Sequence, residues 1–162
     1  MSFRKTGVIT VEELERLGLL PSEERLGKAP VAVLECPEDI PCNICVSACP
    51  FKAIVKDTLY SRPRLDESKC IGCGVCVVKC PGQAIFVVDL RGGEALITLP
   101  YEMNPPPSKG ARVQLLDREG RVVGEGEVVK AWSYDSTWAV TVRAPREMWL
   151  HVRAVRVVGR SG

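Results

Sequence analysis

The chain has 162 residues, of which 46% are hydrophobic and 26% charged, with a formal net charge of +2 and eight cysteines. That length holds one ordinary domain or two small ones, and the composition excludes a fibrous or disordered chain. Near-balanced charge gives no general electrostatic case for nucleic acid or an anionic membrane surface, and no apolar run reaches the roughly 18 residues that would suggest a membrane span.

Met1–Gly7 lacks the apolar core of a secretory signal, so the expected location is cytoplasmic, without a membrane. Cysteines kept reduced in such a compartment point to metal binding rather than to disulfides. Residues 1–34 read as a leader that packs on the cysteine-rich region. Thr10 with Glu13 fits a capping box, Val11, Leu14 and Leu17 form one apolar face, and Gly18 is placed to end the helix. Pro21 opens a possible second helical turn through Leu26, and Val31-Ala32-Val33-Leu34 reads as a strand feeding Cys36.

Residues 35–92 hold all eight cysteines. Cys70, Cys73, Cys76 and Cys80-Pro81 form a CxxCxxCxxxCP run, in which three cysteines at steps of three can wrap one iron–sulfur cluster while the fourth serves a neighbouring one. An internal repeat supplies the neighbour. Cys42-x2-Cys45-x3-Cys49-Pro50, followed by Ala53-Ile54, aligns with Cys73-x2-Cys76-x3-Cys80-Pro81, followed by Ala84-Ile85. Zinc knuckles share part of the spacing, but they need neither three cysteines at this step nor a CP ending.

Over residues 35–88 these motifs resemble the bacterial-type two-cluster [4Fe–4S] ferredoxins. The resemblance implies two [4Fe–4S] clusters, one held by Cys36, Cys42, Cys45 and Cys80 and the other by Cys70, Cys73, Cys76 and Cys49. The first half departs from the family pattern, because alignment back from Cys49 puts Asp39 where a cysteine belongs. Either Cys36 is the first ligand and Pro37–Pro41 bulges out, or Asp39 coordinates through oxygen. Thiolate is the softer match for iron, which favours Cys36. Gly72, Gly74 and Gly82 are expected to let backbone N–H groups approach the cluster sulfurs, and Lys52 and Lys79 read as solvated lysines.

Residues 93–162 leave the ferredoxin pattern. Gly92-Gly93 and Pro100–Pro107 read as connections around one short strand, Ala95–Leu99, and alternating runs at 111–116, 121–132, 137–143 and 151–158 predict further strands. Gly124 and Gly126 suggest a bulge or bend, and Pro145–Met148 a helical turn. The expected fold class is therefore α+β: a ferredoxin-type dicluster domain with a pseudo-twofold repeat, followed by a small all-β barrel-like domain. Trp132, Trp138 and Trp149 are candidates for barrel core or for a docking face.

No acid/base constellation suggests a catalytic site of the chain's own. The segments Leu19–Arg25 and Leu34–Asn43 look like those of small dicluster subunits accompanying flavin-dependent amino-acid dehydrogenases of the proline and hydroxyproline type. That resemblance implies an iron–sulfur subunit of an oxidoreductase complex, with a flavin-containing dehydrogenase subunit or other redox protein as partner. The alternatives are a free-standing soluble ferredoxin and, from a different class, an iron–sulfur sensor whose barrel binds nucleic acid. The acids Glu125 and Glu127 among the arginines weaken that last reading.

Overall fold

The computed structural model describes residues 2–158. Three short helices open the chain, α1 (Phe3–Thr6), α2 (Val11–Arg16) and α3 (Glu23–Leu26), and each starts on a hydroxyl, from Ser2, Thr10 and Ser22, that accepts a first-turn N–H. The capping box is present. Glu13 N donates to Thr10 Oγ1 at 3.1 Å and Thr10 N donates to Glu13 Oε2 at 3.0 Å. The other carboxylate oxygen accepts from Phe3 N at 2.9 Å, so one acid fastens α1 to α2.

The chain then runs through β1 (Val31–Leu34), α4 (Ile44–Ala48), β2 (Ile54–Val55), β3 (Arg64–Leu65), α5 (Val75–Lys79) and β4 (Ile85–Asp89). It continues as β5 (Ala95–Tyr101), β6 (Arg112–Leu116), β7 (Val122–Tyr134) and β8 (Thr137–Ala144), takes a 3-10 turn at Arg146–Met148, and reaches β9 (Ala154–Val157). Among the described residues no helix is long and apolar enough to cross a membrane.

The expected fold class needs correction. The structure is 32% strand and 17% helix, and a large antiparallel sheet takes the place of an α+β ferredoxin-type domain with a separate barrel. Seven strands join in the order β1-β4-β5-β8-β7-β6-β9, while β2 and β3 pair apart from them. The physical reason lies where the two cysteine runs end. Val55 is followed by Lys56-Asp57 and its strand stops after two residues, whereas Ile85 leads into Phe86-Val87-Val88, apolar on both faces. β4 therefore runs long enough to pair with β1 on one side and β5 on the other, with Gly92-Gly93 in the turn, and β5 recruits the remaining strands.

Two details of the later strands also differ from expectation. β5 continues through Pro100 to Tyr101 in register with β8, beyond Thr98, the last residue that β4 pairs. Leu115 pairs with Gly124 and Leu116 with Val122, so Val123 bulges. Gly126 has a separate cause, since a Cβ there would lie 2.5 Å from the carbonyl oxygen of Arg143.

One face of the sheet closes on a core containing Val33, Phe86, Ile97, Val113, Val140 and Val155, against which Trp138 and Trp149 pack half-buried. The β1–β4 pair is buried on its other face too. There Ala32, Leu34, Ile85 and Val87 pack with Ile54, Val77 and several cysteines. Strand alternation thus directs Val31 and Val33 to the main core, and Ala32 and Leu34 to the cysteines.

Candidate functional site

The two cysteine runs adopt the same local path. Cys49 and Cys80 end α4 and α5 in extended conformation, each after an N–H bond back to Cys45 O at 3.2 Å or Cys76 O at 3.0 Å. The following prolines prevent the helix from continuing. Lys52 and Gln83 then take left-handed backbone at φ 55° and 52°. The turn aims the next N–H at sulfur: Ala53 N lies 3.3 Å from Cys49 Sγ, and Ala84 N 3.5 Å from Cys80 Sγ.

The runs meet across β1 and β4. Cys36, Cys42, Cys45 and Cys80 line one cavity with Leu34 and Ile85, and Cys49, Cys70, Cys73 and Cys76 line a second with Ala32 and Val87. Leu34 pairs with Ile85 and Ala32 with Val87, so the cavities sit side by side along one face of the same strand pair. The last cysteine of each run lies in the other run's cavity. All eight thiols are free of disulfides. They surround space rather than a point, for among the described residues no three His, Cys, Asp or Glu side chains converge to hold a single ion.

The thiols are crowded and shielded. Burial, with the nearby Cys70, Cys73 and Cys49, pushes the Cys76 thiol up to about 12. Burial and the neighbours Cys80, Cys36 and Cys42 push Cys45 up to about 11. Cys36 is also raised by burial, with the backbone N–H of Glu38 and the charge of Lys56 acting in the opposite direction. Four thiolates in so small an apolar space demand a compact cationic centre with an affinity for soft sulfur, and an iron–sulfur cluster fits that donor set.

Asp39 is turned away from the first cavity. Its side chain is 65% exposed and lies 3.8 Å from Arg62 Nε, while Cys36 faces Cys42, Cys45 and Cys80. Of the lysines read as solvated, Lys52 is exposed, but Lys79 sits with its ammonium 3.4 Å from the centre of the Tyr134 ring. Gly72 is required by a close approach, because a Cβ there would meet Pro30 Cβ at 2.4 Å and its φ is 72°. The indole of Trp132 covers Gly74, at 3.3 Å from where a Cβ would stand, so β7 shields the start of α5.

Sequence reasoning missed two cations. Arg25 donates to the carbonyls of Glu67, Ala29, Pro30 and Cys70 at 3.0, 2.7, 2.8 and 2.6 Å, fastening the leader to the second run. Lys56 donates to the carbonyls of Ile40, Cys42 and Leu59 at 2.9, 2.8 and 2.7 Å. For Lys56 a signal existed, because the internal repeat sets it opposite Val87. For Arg25 none did.

Glu35 continues the alternation of β1 toward the main core while Cys36 turns to the cavity. Its carboxylate takes Arg118 Nη1 at 2.5 Å, Arg118 Nη2 at 2.8 Å and Arg153 Nε at 2.8 Å. Burial pushes Glu35 upward, but the two guanidiniums outweigh it and hold the carboxyl below its ordinary value. Arg153, over the ring of Phe86, is itself lowered by burial and by Arg118.

A 4Fe-4S binding domain matches residues 63–86, which include Cys70, Cys73, Cys76 and Cys80. Comparison with curated proteins gives no match, and neither does comparison with solved structures. The chain carries a 4Fe-4S binding domain, which supports an iron–sulfur protein of the ferredoxin type and electron transfer through an iron–sulfur cluster.

Proposed function

We propose that the protein binds two [4Fe–4S] clusters and relays electrons between them, as the iron–sulfur subunit of a complex with a flavin-containing dehydrogenase or another redox protein. The observation that carries this reading is the exchange of the last cysteines, which gives two adjacent cavities four thiols each. Cys36, Cys42, Cys45 and Cys80 would hold the first cluster, and Cys49, Cys70, Cys73 and Cys76 the second. A bound [4Fe–4S] cluster supplies one-electron transfer at a potential tuned by charge, hydrogen bonds to sulfur and solvent exposure.

The chain's own residues do the rest. Leu34, Ile54, Ile85 and Val87 exclude water, and Ala53 and Ala84 donate to sulfur. Exposed Cys73, beside Ile71 at 53% exposure and Phe51 at 44%, offers a short route to a docked partner. The flavoenzyme partner rests on the resemblance of Leu19–Arg25 and Leu34–Asn43.

Anaerobically prepared protein is expected to hold about eight irons, two clusters of four, and to be reduced reversibly. Cys36→Ser should remove or convert one cluster, leaving the other intact. Four irons in the wild type, or salt-dependent nucleic-acid binding lost on oxidation, would overturn the proposal.

A further inference from the structure

We propose that Lys56 is a positioning residue for the first cysteine group: its ammonium ties the Cys36–Cys42 loop shut and supplies a positive charge that favours electron addition there. The inference rests on the two-cluster reading of the site. The loop is the irregular part, with five residues between Cys36 and Cys42 where the second run has two between Cys70 and Cys73. Such a loop needs an anchor. Lys56 provides one by directing all three ammonium protons to carbonyls, those of Ile40 and Cys42 within the loop and of Leu59 beyond β2.

Lys56 also lines the cavity that holds Cys36, Cys42, Cys45 and Cys80. Glu38 also lines that cavity, but its carboxylate pairs with Arg4 at 3.6 Å, and Asp39 faces Arg62 at 3.8 Å, so both acids have cations of their own. Among the described residues the wall of the second cavity contains no charged residue: Val87 stands where Lys56 would be, and Arg25 bonds, of the residues lining that cavity, the backbone carbonyl of Cys70. Adding one electron makes or breaks no bond, and an adjacent fixed cation favours the more negative state.

The test is voltammetry with parallel electron paramagnetic resonance on wild type, Lys56→Met, Lys56→Gln and Lys56→Arg, with iron counted in each. Cys36→Ser assigns the wave of the first site. In the Met and Gln variants that site is expected to become at least tenfold harder to reduce, about 59 mV for a one-electron couple, while the other wave stays in place. Lys56→Arg should hold the wild-type potential. An unmoved first wave, or equal movement of both, overturns the inference. Should Met and Gln both lose iron, the Arg variant decides: a wild-type potential supports the role of charge, and a shifted one overturns it. A wild type with a single wave and about four irons would instead refute the two-cluster reading.

Discussion

The two cysteine groups share a strand pair and a local backbone path, yet the helices that carry them pack differently. Around the second, α5 buries Cys76, Val77 and Val78, with Trp132 covering its start. Around the first, α4 buries none of its residues, and Ile40 and Ile44 are each 43% exposed. The second group has a regular spacing and, among the described residues, an uncharged wall; the first has an irregular loop, a lysine in its wall and a buried ion-pair network at Glu35, next to Cys36. The irregular loop is held by the Lys56 ammonium, bonded to the carbonyls of Ile40 and Cys42.

The largest test of this contrast is at Glu35, beside Cys36 of the first group. Glu35→Ala would leave Arg118 and Arg153 buried without their shared carboxylate, and a loss of about 3–5 kcal/mol is expected in denaturant melts. A loss below about 1 kcal/mol would mean that the network is incidental, as surface ion pairs are. Next comes a pair of glycine changes. Gly72→Ala, which drives a Cβ into Pro30, should cost about 1–3 kcal/mol, whereas Gly82→Ala, with nothing within 4 Å, should stay within about 0.5 kcal/mol. Equal costs would erase the difference in packing between the two groups.

The pH dependence of stability sharpens the role of Glu35. Its folded pKa lies below the ordinary 4.5, so the unfolded chain takes up the proton first as pH falls. The stabilisation is complete above that ordinary value and is lost as pH drops through the lowered one. Glu35→Gln should remove this part of the acid slope, and melts between pH 6 and 3 in both proteins measure it (roughly the carboxylate range). The smallest effect is expected from Asp39→Ala: iron content unchanged, and stability within about 0.5 kcal/mol, since the carboxylate faces solvent and Arg62. Loss of iron there would return Asp39 to candidacy as a ligand.

Much of the local structure was legible because its causes are local. The capping box at Thr10 and Glu13, the strand before Cys36, and the proline stops after Cys49 and Cys80 all depend on residues within one or two turns of each other. The fold class was not legible. Reading residues 93–162 as a barrel of their own overlooked the apolar run in β4, buried on both faces, which needs a partner on each side and so makes the sheet continuous. Strand partners far apart in sequence leave no periodic signal that names them.

By itself the sequence determined the chemistry available: eight cysteines at cluster spacing, in two repeated runs that each end at a proline. Only the tertiary structure set what surrounds them. Pairing of β1 with β4 brings Cys80 to Cys36, Cys42 and Cys45, and Cys49 to Cys70, Cys73 and Cys76. It also sets Lys56 in one wall and leaves Arg25 outside the other, because the position of a charge relative to a cavity is a property of packing and not of spacing along the chain.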